Sequence, residues 1–132
     1  MRALTLTAAL TLSLGAAAPL AAAGTCDQIW TAFNGAPLGK KIARDAAWSE
    51  AEYRYRAAQV VFAKAADVTE GKTPADLKAE GKTPMDYSMR LMLSDKVLTC
   101  YAAEAGTFAA DQEATMPPDR RADIIAPFRP KG

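Results

Sequence analysis

Cys26 and Cys100 are the only cysteines in this chain of 132 residues, so a single intramolecular pairing exists. The N-terminus makes that pairing the expectation. Met1-Arg2 is a minimal positive start, Ala3 to Leu14 is apolar with small Thr and Ser, and Pro19 breaks any helix. Ala21-Ala22-Ala23 then supplies the small-x-small pattern that a signal peptidase needs. The pattern predicts a removable signal over residues 1–23, cleaved after Ala23, and a mature protein that is periplasmic or secreted. The apolar run is too short to span a bilayer. Ala23-Gly24-Thr25 also lacks the Leu that lipid attachment at Cys26 would require. An oxidising compartment favours a structural disulfide, whereas a redox pair would be closely spaced, as in Cys-x-x-Cys. By the chain-entropy account, a bridge closing about 75 residues contributes roughly 4 kcal/mol.

The rest of the chain reads as helix. Alanine supplies 21 of the residues after position 23, and no alternation of β-branched residues occurs. A short helix is predicted over Cys26 to Phe33, stopped by Asn34-Gly35-Ala36-Pro37. A second runs from Ala46 to Val68 behind Asp45 as N-cap, with Trp48, Ala51, Tyr55, Ala58, Phe62 and Ala65 forming a seam of alternating large and small residues. Glu70-Gly71-Lys72-Thr73-Pro74-Ala75-Asp76 is then echoed ten residues later by Glu80-Gly81-Lys82-Thr83-Pro84-Met85-Asp86. Each copy ends one helix with Gly and starts another with Thr, Pro and Asp, leaving a one-turn helix between them. A long helix from Pro84 to Ala105 is apolar around most of its girth, which makes it central. Thr107 caps a short helix to Ala114. The predicted fold is all-α, a small three- to four-helix bundle pinned by one disulfide over residues 24–116. A proline-broken basic and apolar tail over 117–132, with one short helix at most, follows it.

Composition removes most chemistries. There is no histidine, which excludes His-based triads, His-ligated zinc or haem, and imidazole bases. After residue 23, fifteen basic side chains balance fifteen acidic ones, and a nucleic-acid binder would show a basic surplus. Tyr53-Arg54-Tyr55-Arg56 interleaves aromatic and basic groups. Glu50 and Glu52 lie four residues before the two arginines, so this reads as a solvated, ion-paired flank. The carboxylate pairs Glu50 with Glu52 and Asp67 with Glu70 fall in no catalytic motif, and no phosphate cradle or nucleophile elbow occurs. The expectation is a protein without catalysis and without cofactor.

Binding remains. Met85, Met89 and Met92 at i, i+4 and i+7 share one helix face, beside Leu91, Leu93 and Tyr87. Their soft sulfurs suit Cu(I), with Met116 as a further ligand, but adaptable packing is the commoner use of such a stripe. Arg120 to Gly132 places Ile124, Ile125 and Phe128 among four basic residues. That segment either docks on a partner or folds back over the bundle. Met85, Met89, Met92, Ile124, Ile125 and Phe128 are therefore the candidate partner-binding residues, for a protein partner or for unfolded clients.

Thr25-Cys26-Asp27 opening the first helix, and Cys100-Tyr101 late in a long one, resemble the HdeA/HdeB family of periplasmic acid-stress chaperones. The segment between the cysteines is longer than in that family, and the tail is extra. The resemblance implies a holdase that opens at low pH and coats unfolding clients. Protonating all fifteen acids would carry the chain from about zero to about +15, and self-repulsion would loosen a thin core.

Overall fold

Two left-handed glycines, Gly71 (φ 79°) and Gly81 (φ 80°), set the middle of the fold. Side chains with a Cβ rarely adopt that backbone, so the duplicated Gly-Lys-Thr-Pro sequence turns the chain twice at fixed points. In this computed structural model, residues 24–38 and 42–130 are described. The expected leader over 1–23 lies outside them. Helix α1 covers 24–35. It is followed by α2 (Glu50–Thr69), α3 (Pro74–Ala79), α4 (Pro84–Tyr101), α5 (Thr107–Thr115), α6 (Pro118–Ile125) and a 3-10 turn at Ala126–Phe128. The chain is all-α, with one disulfide between Cys26 and Cys100.

The two copies of the repeat differ in how they are capped. Thr73 accepts the Asp76 N–H while Asp76 accepts the Thr73 N–H at 2.9 Å, a complete capping box. Thr83 stands at the N-cap of α4 without a side-chain bond. Between them, Lys82 N–H returns to the Leu77 carbonyl at 2.9 Å and closes α3, while Leu77 itself is fully buried. Lys72 and Lys82, one from each copy, converge on Glu80 at 2.8 and 3.1 Å. Thr73→Ala is expected to cost about 1 kcal/mol, and Thr83→Ala a few tenths, in urea unfolding.

α2 and α4 form the central pair and run antiparallel, since Arg54 near the start of α2 meets Tyr101 at the end of α4. Tyr55, Ala58, Phe62 and Ala65 of the predicted seam are buried against Leu91, Val97, Leu98 and Tyr101. Burying each large side chain contributes roughly 1.5–3 kcal/mol. α1 covers one side with Trp30 and Phe33, and the disulfide ties its start to the end of α4 across 5.7 Å between Cα atoms.

Several boundaries differ from expectation. α2 begins behind Ser49, whose hydroxyl accepts the Glu52 N–H. Asp45 instead closes a separate turn by accepting the Ala47 N–H at 2.8 Å, which leaves Trp48 outside the helix. α4 ends at Tyr101, and Gly106 (φ 74°) takes the N-cap position expected for Thr107. The largest correction concerns the tail. Pro118 is the first residue of α6, where its missing N–H costs nothing, and Ile124, Ile125 and Phe128 are buried in the common core. The domain boundary expected after Met116 therefore does not hold, and of the two courses expected for the segment it takes the second, folding back over the bundle.

Candidate functional site

α6 and its seat gather the most unusual side chains. Arg121, Ile124, Ile125 and Phe128 recur at i, i+3, i+4 and i+7, so one face of α6 and the following turn points inward. The three apolar members complete the core. Arg121 is only 2% exposed, and its Nε donates to Asp95 Oδ1 of α4 at 2.7 Å. Its Nη1 reaches the Met116 carbonyl at 3.4 Å and lies 3.9 Å from Glu113 of α5. Arg120, on the outer side, bonds Glu70 at the end of α2 at 2.6 Å. Ser88 donates to the Phe128 carbonyl at 2.9 Å and pins the far end. Thus α6 is held by three arginine–carboxylate contacts at its start, the one to Glu113 the longest, one backbone contact at its end, and apolar burial between.

Beside Arg121 lies a cleft of about 220 Å³ between α2, α4, α5 and α6. Tyr55, Phe62, Leu98, Gln112, Met116 and Arg121 are among its walls. Burial pushes the Tyr55 phenol above its ordinary range; Glu113 adds to this and Arg121 opposes it. The hydroxyl therefore stays a donor at neutral pH.

The remaining candidates fall elsewhere. Met85 and Met89 are exposed, at 71% and 37%, while Met92 is half-buried and its sulfur accepts the Ser88 hydroxyl at 3.6 Å. Met116 lies in the cleft wall. The four sulfurs named for copper thus sit in different surroundings. Ile124, Ile125 and Phe128 face inward, so the closed fold presents only Met85 and Met89 of the candidate partner-binding residues as exposed side chains.

The Tyr53–Arg56 stretch is no solvated flank. Arg54 and Arg56 have side chains only 18% and 27% exposed. Arg54 bonds Glu50, Asp27 and the Tyr101 hydroxyl, and its guanidinium lies 5.2 Å from the Trp30 ring centre and 5.3 Å from that of Tyr101. Burial works against its charge, yet the bonds to Asp27, Tyr101 and Glu50 outweigh that and raise its pKa. Arg56 covers Phe108 at 3.7 Å and Trp48 at 4.5 Å while paired with Glu52. These arginines bolt α1 and α5 to α2. Three of the four carboxylates of the sequence pairs are ion-paired: Glu50 with Arg44 and Arg54, Glu52 with Arg56, Glu70 with Arg120.

Sequence reasoning missed Arg121. Two adjacent arginines in a basic segment read as surface, and the signal available was the helical spacing of position 121 with the apolar residues behind it. Among the described residues, no cluster of His, Cys, Asp or Glu could hold a metal ion, and no helix is long and apolar enough to cross a membrane. No protein-family model, no curated protein and no solved structure matches this chain.

Proposed function

We propose that this protein is an exported, non-catalytic binding protein of the holdase type, opened by acid at α6. The observation that carries the reading is the construction of the α6 seat. Its inner face bears Ile124, Ile125 and Phe128, while its start is fastened by Arg121 to Asp95 and Arg120 to Glu70. Charged and titratable groups facing Arg121 are Asp95 from α4, Glu113 from α5 and the Tyr55 phenol from α2. A buried guanidinium without its counter-charge is costly to keep buried, so the seat of α6 depends on these charge partners. Where they are lost, the helix that covers apolar core is the element that leaves.

Other carboxylates push the same way. Glu50 is held below its ordinary value of 4.5 by hydrogen bonds from Arg44, then Arg54, and Glu80 below it by Lys72, then Lys82. A carboxylate with a lowered folded pKa contributes stability above its unfolded value. That stability disappears as the pH falls through the folded value. The domain therefore weakens below about pH 4.5, from Glu50 and Glu80 alone as from the rising net charge. The intact disulfide limits how far the opened chain expands. This agrees with the acid-stress role that the HdeA/HdeB resemblance implies.

The test compares a hydrophobic dye signal, hydrogen exchange in α6, and suppression of aggregation of an acid-unfolded test protein at pH 7 and pH 3. The expected result is dye binding, loss of α6 protection and suppression only at pH 3. Arg121→Met, which needs no counter-charge, is expected to keep α6 protected in acid and to lose suppression. Retained α6 protection in the wild type at pH 3 would sink the reading. A second reading, a dedicated accessory or inhibitory subunit, draws support from Met85 and Met89, the exposed large apolar side chains of the described residues. One stoichiometric partner captured at neutral pH, lost with Met85→Ser and Met89→Ser, would select it.

A further inference from the structure

The cleft beside Arg121 combines three properties seldom found together by packing alone. Its volume of about 220 Å³ exceeds the roughly 150 Å³ apolar cavity that accepts benzene, so a six-membered ring with one small substituent fits. Phe62, Leu98 and Met116 give it apolar walls. Two side chains that are almost wholly buried, Tyr55 at 1% and Arg121 at 2% exposure, bring polar groups to it. The bonds of Arg121 run through Nε and Nη1, and its Nη2 has no protein partner among the described residues. The Tyr55 hydroxyl likewise bonds no described protein group, while its ring meets Phe108 edge-on. No fully enclosed side-chain polar atom of the described residues is left unsatisfied, so these two donors are not sealed off, and both residues line the cleft.

We infer that this cleft binds a small amphipathic carboxylate, with its carboxylate on the Arg121 Nη2 and Tyr55 hydroxyl donors and its ring or short chain against Phe62, Leu98 and Met116. An anion suits the site, since the Arg121 guanidinium is a cation that only donates and repels a second cation, while the Tyr55 hydroxyl can donate alongside it. A wholly apolar ligand would leave both donors dry and unpaired, which costs free energy. Arg120, also in the wall, adds positive charge, although it is paired with Glu70. Glu113, 3.9 Å from Arg121 Nη1, is the acid that competes with such a ligand.

The inference is independent of acid opening and is tested at pH 7, where α6 is closed, so failure of either leaves the other standing. Sodium benzoate and its neutral isostere benzamide are titrated into the disulfide-bonded protein, followed by calorimetry and by NMR of the Arg121 side chain. Benzoate is expected to saturate with a Kd at or below about 10 mM, the weak end for a ligand of its size, and to shift the Arg121 signal. Benzamide is expected to bind about tenfold more weakly, and Tyr55→Phe to weaken benzoate by about tenfold, the equivalent of one hydrogen bond. Glu113→Gln is expected to tighten benzoate about three- to tenfold by removing a like charge, which no packing role would do. Absence of saturation up to about 30 mM, three times that weak limit, would overturn the inference. So would equal binding of benzamide, or benzoate affinity unchanged by Tyr55→Phe in a variant that melts as the wild type does.

Discussion

Replacing Cys26 and Cys100 together by alanine is expected to lower the thermal midpoint by roughly 15–30 °C. The bridge closes a loop with a sequence separation of 74, and the chain-entropy account assigns such a loop roughly 4 kcal/mol. In a domain of about 100 residues each kcal/mol shifts the midpoint by roughly 4–8 °C. The fold has little to put in its place. α1 is otherwise held by burial of Trp30, Phe33 and Leu38 with its following segment, by Arg54 over the Trp30 ring, by the Tyr101 hydroxyl donating to the Cys26 carbonyl at 3.2 Å, and by the contact of Asp27 with Arg54. The Asp27 side chain is 70% exposed, so that pair contributes little. Circular dichroism melts of the variant, and of the wild type with and without reductant, measure the effect. A fall of less than about 5 °C, worth at most about 1 kcal/mol, would mean that α1 docks by packing alone.

Asp95→Asn is expected to destabilise the protein by about 3 kcal/mol at pH 7, the lower end for breaking a buried ion pair. The lower end applies because Asp95 is 27% exposed and water can enter beside it. Arg121 would keep its charge at 2% exposure with only the Met116 carbonyl and the more distant Glu113 for company. Arg121→Met is expected to be far milder, since an apolar side chain of similar length removes the charge that demands pairing. Adding Arg121→Met to Asp95→Asn is expected to restore most of the loss. Urea unfolding of the two single variants and the double variant completes the cycle. Equal losses from both single variants, with no recovery in the double, would show that Arg121 acts by shape and leave α6 without a charge-dependent clasp.

The helical elements were legible wherever local chemistry decided them. Gly71 and Gly81 demand a left-handed backbone that fixes both ends of α3, and the Thr73–Asp76 box needs only residues three apart. The seam of Tyr55, Ala58, Phe62 and Ala65 showed in its spacing because α2 buries one continuous face. The start of α2 is ambiguous in the sequence because Asp45 and Ser49 are both good caps; in the fold Ser49 caps α2 and Asp45 accepts the Ala47 N–H in a separate turn. The i, i+4 glutamates of Arg54 and Arg56 signal a surface position in the sequence. Their guanidinium planes are turned onto rings of α1, α4 and α5, partners separated from them by tens of residues.

Helical class, the single cysteine pairing, the glycine turns at Gly71 and Gly81 and the lack of imidazole chemistry can all be read along the chain. Each follows from a residue type or from neighbours within one helical turn. Only packing places the segment after Met116 in the core, buries Arg121 on Asp95, and brings Tyr55 and Arg121 to one cleft. These depend on which helix faces meet. A pattern of apolar residues states that a face must be covered, but the burial of a charge is set by a carboxylate 26 positions away that only the folded chain brings within 2.7 Å.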